Sequence, residues 1–166
     1  MRGAAVAAAP RDTMNAVRAR ATDVTAVEIR WAVAAHLSPL WVIVSASMLE
    51  RRPVAWAPLV AFLGPLILAL LVRDRGGFVA GAIRSALAFA LSIGTYSLFA
   101  DVAVAAGFIW KPAAALLYVG LLSLLILALN WLIFAALATN AAVHSKLFDY
   151  PGCLATWRRV ATRITR

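Results

Sequence analysis

Four stretches of the chain are apolar over about 20 residues, the length that a helix needs to cross the hydrocarbon core of a bilayer. They cover residues 31–49, 54–72, 85–106 and 113–135, and a helical extension continues the last stretch to residue 143. Because 64% of the 166 residues are hydrophobic and 14% are charged, a soluble domain of this size could not bury the apolar surface. The sequence therefore predicts an all-α integral membrane protein, folded as a four-helix bundle.

The basic residues predict how this bundle is oriented. Thirteen of the 16 lysines and arginines lie before the first span, between the second and third spans, or after the fourth span. Since cytoplasmic loops carry the excess of positive charge, we expect both termini to be cytoplasmic. The predicted location is the bacterial cytoplasmic (inner) membrane. Residues 1–29 would form a cytoplasmic segment with a weak amphipathic helix, and residues 30–145 the transmembrane domain.

Residues 146–166 form a basic tail with the pattern of an amphipathic helix. Its apolar residues share one face at 100° per residue: Leu154, Trp157, Val160, Ala161 and Ile164. We predict an interfacial helix with this face in lipid. The tail arginines would contact anionic headgroups: Arg158, Arg159, Arg163 and Arg166. Membrane lipids, rather than nucleic acid, are therefore the expected partners of the basic charge, together with a second copy or a membrane-complex partner.

Polar side chains at membrane depth are costly and often mark function. His36 lies in the first span and Asn130 in the fourth, both near the inner surface, so the two side chains are able to form a hydrogen bond. We interpret His36 first as a packed, hydrogen-bonded residue and Asn130 as a contact between helices. A role in binding a ligand, carrying a proton or contacting a substrate is the alternative.

Asp101, near the outer end of the third span, is the third candidate polar site. We expect its carboxylate to reach the outer headgroups or to pair with a basic residue of a connection, while transport or gating is the alternative. The candidate basic partners are Arg51, Arg52 and Lys111. Pro39 and Pro65 fall inside spans, where proline removes a backbone donor. They are predicted to bend these helices, either to open a cavity or to shape the bundle.

Motifs of common enzymes are missing from the sequence. Cys153 is the only cysteine, no histidine pair has metal-ligand spacing, and no glycine-rich loop is suited to phosphates. We therefore predict a non-enzymatic protein without catalytic, metal or cofactor-binding residues. It would act as a scaffold, an accessory subunit or a self-associating component of a membrane complex. A small channel or translocation component is one alternative, and a lipid-acting enzyme using His36, His144 and Asp149 is another.

Four short motifs lie between residues 29 and 151. They are Ala35–Ser38, then Gly64–Leu66 followed by the turn Arg73–Arg75, then Phe78–Val79 leading into Ala86–Phe89, and finally Tyr150–Pro151. Together they resemble small bacterial four-span proteins of unknown function, the Tic-twenty-like family, which is related to a chloroplast inner-envelope import component. The resemblance implies the same fold and, by analogy, a link to protein translocation. Ala82, Ala88 and Ala90 stand where that family has polar residues.

Overall fold

The computed structural model describes residues 24–50, 57–72, 77–110 and 114–165, and within these ranges the chain forms helices and no strands. The helices are α1 (Ala26–Glu50), α2 (Ala57–Val60), α3 (Leu63–Leu71), α4 (Gly77–Ile109), α5 (Ala114–Val143) and α6 (Ala155–Ile164). Three of them, α1, α4 and α5, are long and apolar enough to cross a membrane. The prediction of an all-helical membrane protein is thus confirmed, and the four-span arrangement stays a prediction. A weak amphipathic helix was expected within residues 1–29, and residues 1–23 of this segment lie outside the described ranges.

Helix α1 begins at a capping box and continues through a proline. Thr25 Oγ1 accepts a hydrogen bond from the Glu28 backbone N–H at 3.2 Å, and Glu28 Oε2 accepts one from the Thr25 backbone N–H at 2.9 Å. This reciprocal pair satisfies donors that a helix start leaves free. Pro39 has no N–H for the Ala35 carbonyl, and Ser38 Oγ donates to that carbonyl at 2.9 Å instead. The helix therefore runs on to Glu50.

The second apolar stretch is two helices rather than one. Helix α2 ends at Val60, residues 61–62 form a turn, and α3 begins at Leu63. Pro65 cannot donate to the Ala61 carbonyl, which accepts from the Gly64 N–H at 3.4 Å. The predicted span over residues 54–72, with a bend caused by Pro65, is described from residue 57 onward, and there the helix is interrupted at residues 61–62. Together α2 and α3 extend about 22 Å, which is short of a bilayer core of about 30 Å.

Helix α4 lies at the centre and contacts each of the other five helices. Ala32 of α1, Ala82 of α4 and Ala142 of α5 pack together near one end. Further along α4, Phe89 and Ile93 belong to a core cluster with Trp131 of α5 and Leu40 of α1. These pairings make α1 and α4 parallel to each other, with α5 antiparallel to both. The central position explains why α4 is rich in buried small residues.

Glycines close the long hairpin that α4 and α5 form. A Cβ atom on Gly107 would lie 2.5 Å from the Leu117 backbone nitrogen, and one on Gly120 would lie 2.6 Å from Val104 Cγ2. Glycine therefore lets the two backbones approach closely, as is typical of helix pairs in membranes. The outer side of α5 carries exposed apolar side chains from Leu116 to Leu137, a length of about 32 Å. This length matches the hydrocarbon core.

Helix α6 is amphipathic, and part of its apolar side packs on the protein. Ala161 is fully buried in a cluster with Leu87 and Ala88 of α4. Trp157 Nε1 donates a hydrogen bond to Thr95 Oγ1 of α4 at 2.9 Å. Part of this side therefore packs on α4, which offers small residues and a hydroxyl acceptor, while Ile164 on the same side is 44% exposed. Contact of the helix with lipid stays a prediction.

Candidate functional site

Residues 144–165, which we call the terminal segment, fold back over α4 and reach α1. Tyr150 anchors this segment and is only 1% exposed. Its hydroxyl oxygen lies 2.9 Å from His36 Nδ1 of α1. Its ring stacks on Phe89 of α4 with a centroid distance of 4.0 Å and an interplanar angle of 10°, and Phe148 meets it edge-on at 5.0 Å. One side chain therefore joins the terminal segment to two membrane helices.

The surroundings of the His36–Tyr150 contact indicate which of its atoms carry protons. Burial raises the pKa of the Tyr150 hydroxyl, so the phenol stays protonated at neutral pH. The direction of the hydrogen bond depends on the imidazole tautomer, and we assign the phenol as the donor because His36 Nδ1 is the one acceptor that the described residues offer to its proton. A neutral imidazole that accepts at Nδ1 carries its proton on Nε2. His36 Nε2 is buried and has no hydrogen-bond partner among the described residues. A buried donor without an acceptor costs about 1–3 kcal/mol, so this histidine is held at an energetic cost.

Hydroxyl groups of α4 hold the rest of the terminal segment. Ser92 Oγ accepts from the Leu154 backbone N–H at 3.0 Å, and Tyr96 donates to the Gly152 carbonyl at 3.0 Å. Thr95 accepts from Trp157, as described above. The three hydroxyls share one face of α4 because they are three and four residues apart. Ser92 and Thr95 donate their own protons to carbonyls one turn earlier, at 2.8 and 2.9 Å, which leaves their lone pairs free to accept.

A cavity of about 340 Å³ lies between α4, the start of the terminal segment and α6. Its charged lining residues are Arg84 of α4, Asp149 and Arg158. Arg158 Nη2 lies 3.0 Å from Asp149 Oδ1 and also donates to the Tyr150 carbonyl at 3.1 Å. Arg84 Nε donates to Thr165 Oγ1 at 3.1 Å. The two arginines thus tie α6 to the remainder of the molecule at opposite ends of the helix.

The lining of the cavity is better suited to binding a ligand than to covalent or metal-dependent catalysis. Burial raises the pKa of the Cys153 thiol, against a lowering by Arg158, so the group is held as a thiol rather than as the reactive thiolate. In the described part of the chain, no three His, Cys, Asp or Glu side chains come together as a metal site. What the geometry offers is guanidinium groups next to apolar walls.

The family model of the magnetosome magnetite crystal formation proteins, MamF/MmsF, matches residues 27–159. The chain belongs to this family. The match begins in the first turn of α1 and ends within α6, so it includes His36, Tyr150 and the α4 hydroxyls that hold the terminal segment. No curated protein and no solved structure matches the chain.

Membership of the MamF/MmsF family corrects the resemblance drawn from short motifs. The family model that matches the chain describes magnetosome magnetite crystal formation proteins, and no finding supports membership of the Tic-twenty-like family. The motifs misled because they mark structural positions. Gly64 and Pro65 shape the approach of α3 to Ser38, and Tyr150 fills the space beside His36. Motifs that serve packing identify a kind of fold better than a lineage.

The polar residues predicted from the sequence separate in the structure of this MamF/MmsF protein. His36 is 2% exposed and bonds Tyr150, so the hydrogen bond with Asn130 that the shared depth allowed is not formed. Asn130 is exposed on α5 and lines a different cavity, of about 300 Å³, with Tyr96 and Gly152. Asp101 is half-buried, about 20 Å along α4 from Ala88. Its expected partners Arg51, Arg52 and Lys111 lie outside the described ranges.

The predicted lipid-contacting arginines differ from one another. Arg158, Arg159 and Arg163 are all exposed, but Arg158 also pairs with Asp149 and bonds the Tyr150 carbonyl, as described above. Arg166 lies outside the described ranges. The buried prolines, Pro39 and Pro65, face the packed interior, so they shape the bundle in the way given for the two helices. Headgroup contact by the exposed arginines stays a prediction.

Sequence reasoning missed Tyr150 as a partner of His36 and Arg84 as a cavity residue. Tyr150 was noted only as part of a Tyr-Pro motif, and 114 residues separate it from His36. Arg84 was counted among the residues of a connection, but it is the eighth residue of α4. The hydroxyl residues at positions 92, 95 and 96 were a usable signal, since they form a polar stripe at helical spacing within an apolar run.

Proposed function

We propose that this chain is a non-enzymatic component of the magnetosome membrane that takes part in magnetite crystal formation. The match of the family model to residues 27–159 carries the proposal, because it covers the membrane helices and the first half of α6. The exposed apolar face of α5 supports integral membrane placement. We further propose that both termini face the cytoplasm, on the strength of the basic residues outside the spans.

The charge of the chain indicates how it would act on a crystal. Iron ions in proteins are held by imidazole and carboxylate ligands, but the chain has 2 histidines and 7 acidic residues against 16 basic ones. Among the described residues, Asp149 is already paired with Arg158. We therefore propose an organising role, in which the protein binds membrane partners or further copies of itself, rather than direct binding of iron.

The alternatives of a channel and of a lipid-acting enzyme lack a specific supporting observation. His36, which both would use, is buried against Tyr150. His144 bonds the Asn140 carbonyl at 2.8 Å on the surface, and Asp149 belongs to the ion pair with Arg158. These three side chains are each engaged in separate contacts.

The test of this proposal is rescue in a magnetite-forming bacterium that lacks its own members of the family. Expression of this chain should restore the size distribution of the crystals in electron micrographs, and the chain should co-fractionate with magnetosome membranes. Gly120→Leu, which separates α4 from α5, should fail to rescue, whereas the lipid-facing Leu122→Ala should succeed. A chain that spreads over the whole inner membrane and leaves the crystals unchanged would contradict the proposal.

Self-association is tested separately, by a photo-crosslinking residue at Leu125 on the exposed face of α5. Irradiation of intact membranes should yield a dimer band or a defined heteromeric band. The buried position Ala86 provides the control, which should give neither band. Recovery of monomer alone from both positions would remove the organising role while leaving the family assignment intact.

A further inference from the structure

The cavity between α4 and α6 carries one positive charge that no acidic residue balances in the described part of the chain. Arg158 is matched by Asp149 at 3.0 Å. Arg84 lines the same cavity, and no described carboxylate lies within ion-pair distance of it. Arg84 is half-buried, and a guanidinium that no described carboxylate neutralises is available to an anionic ligand.

The orientation of the Arg84 guanidinium is fixed. Its Nε donates to Thr165 Oγ1 at 3.1 Å, and Thr165 in turn donates its own proton to the Ala161 carbonyl at 2.9 Å. The threonine lone pair is therefore held toward Arg84. With Nε engaged, the two Nη nitrogens remain as a planar pair of donors, which is the geometry that matches two phosphate oxygens.

The rest of the cavity lining favours an anionic ligand that also has an apolar part. Ser85 and Thr162 donate their hydroxyl protons to backbone carbonyls at 3.1 and 2.8 Å, so guanidinium groups supply the strong donors. The remaining wall is largely apolar and includes Leu147, Phe148 and Ala88. A volume of about 340 Å³ accommodates a headgroup-sized molecule. Positive charge beside an apolar wall fits a phosphate attached to an apolar body.

We propose that this cavity is a phosphate-binding site in which Arg84 is the anchoring residue, and that the phosphate is the one in the headgroup of a membrane phospholipid. Basic pockets between membrane helices recognise headgroups in this way. The bound lipid would also contact α6 and the start of the terminal segment, and so would stabilise the docked position of both. The inference rests on the cavity alone and does not depend on the role in crystal formation.

Native mass spectrometry of the full-length protein in detergent tests the site, with phosphatidylglycerol and inorganic phosphate as separate probes. Arg84→Gln should weaken the binding of phosphatidylglycerol about tenfold, equivalent to about 1.4 kcal/mol. Arg30→Gln is the matched control, because it removes the same charge from an exposed position of α1 that does not line the cavity. It should change binding by less than about twofold.

The two probes distinguish the source of the phosphate. Arg84-dependent binding of the lipid that inorganic phosphate does not displace supports a headgroup site. Displacement by inorganic phosphate at similar concentration supports the phosphate chemistry and overturns the lipid assignment. Equal binding by Arg84→Gln and Arg30→Gln overturns the site altogether.

A second variant covers the case in which Arg84→Gln does not fold. Thr165→Val leaves every charge in place and removes only the acceptor that orients Arg84. It should weaken phosphatidylglycerol binding about threefold and leave the helix content seen by circular dichroism unchanged. Unchanged affinity in this folded variant would show that the orientation of Arg84 is irrelevant, and would overturn the proposal.

Discussion

The two ends of α4 are held by different kinds of contact. From Gly77 to the middle of the helix, the terminal segment, α1 and α3 surround α4, and hydroxyl groups near the middle, such as Ser92 and Thr95, bond the covering chain. Toward Ile109, α4 packs on α5 through glycines whose missing side chains let the backbones meet. Large apolar residues, including Phe108 and Ile109, remain exposed there. Hydrogen bonds hold the terminal segment on the part of α4 that it covers, and close backbone packing holds α5 on the part toward Ile109.

Glycine contacts and hydroxyl hydrogen bonds should be disrupted by different kinds of substitution. A glycine contact is lost by adding volume, and the loss is large because neither backbone can retreat without separating the helices. A hydroxyl contact is lost by removing one polar atom, and its loss is moderate because the surrounding packing remains. Variants at the two ends therefore differ in the size of their effect and in whether a second change can restore stability.

The largest effect is expected from Gly120→Leu at the glycine-packed end. The added side chain would meet Val104 and the Ala100 carbonyl, which lie 2.6 and 2.8 Å from the position of its Cβ. We expect a loss of about 3 kcal/mol or more, measured by thermal unfolding in detergent. Gly77→Leu, at a glycine with open space around it, should be close to neutral. Equal losses in both variants would show that shape does not hold the hairpin.

Tyr150→Phe should cost less, about 1–3 kcal/mol, because the ring stays on Phe89 while His36 Nδ1 loses its donor. The control is Tyr118→Phe, at a tyrosine that is 71% exposed, which should be neutral. Adding His36→Leu to Tyr150→Phe should recover most of the stability, because both unpaired polar atoms are then gone. A double variant less stable than the single one would contradict this account of the contact.

Alkaline pH should act through the same tyrosine. Burial raises the pKa of Tyr150 above its ordinary value of 10.0, so the folded state keeps its phenolic proton longer than the unfolded chain. The stabilisation is complete below pH 10 and is lost as pH rises from there toward the folded pKa, by up to about 1.4 kcal/mol per pH unit. Unfolding measured at pH 9 and pH 11 should therefore show the wild type losing its advantage over Tyr150→Phe. A constant difference between the two proteins would count against burial of the phenol.

The smallest effect is expected from Trp157→Phe, which removes the hydrogen bond to Thr95 Oγ1 and keeps most of the apolar contact. We expect a loss of about 1 kcal/mol, or about fivefold in the opening of the terminal segment. Cys153, the only cysteine, reports this opening through its rate of alkylation. Ser123→Ala on α5, whose hydroxyl bonds only the Val119 carbonyl among the described residues, should leave the rate unchanged. Faster labelling in that control would show that the rate does not report docking.

The apolar runs predicted the long helices of this protein because a membrane span is a property of consecutive residues. The break at residues 61–62 followed from Pro65, whose effect on a helix is also local. The face of α6 illustrates what such reasoning omits. Its apolar pattern is satisfied equally well by lipid or by Leu87 and Ala88 of α4, and the pattern itself does not distinguish the two surroundings.

The candidate site was harder to predict than the helices because it depends on distant residues. His36 was singled out as a polar residue within an apolar run, and its predicted depth suggested Asn130 as its partner, whereas the structure pairs it with Tyr150. Tyr150 comes from a segment that returns to the core after α5, and the sequence has no periodic signal for such a return. Arg84 shows a related limit, since its place inside α4 depends on where the helix begins.

The contact between His36 and Tyr150 also depends on the order in which the chain is synthesised. The two residues are 114 positions apart, and α1, α4 and α5 are all synthesised before Tyr150 leaves the ribosome. The contact between the imidazole and the phenol therefore forms only after α1, α4 and α5 have been synthesised. Until then the hydroxyl groups of Ser92 and Thr95 have no bond to the terminal segment.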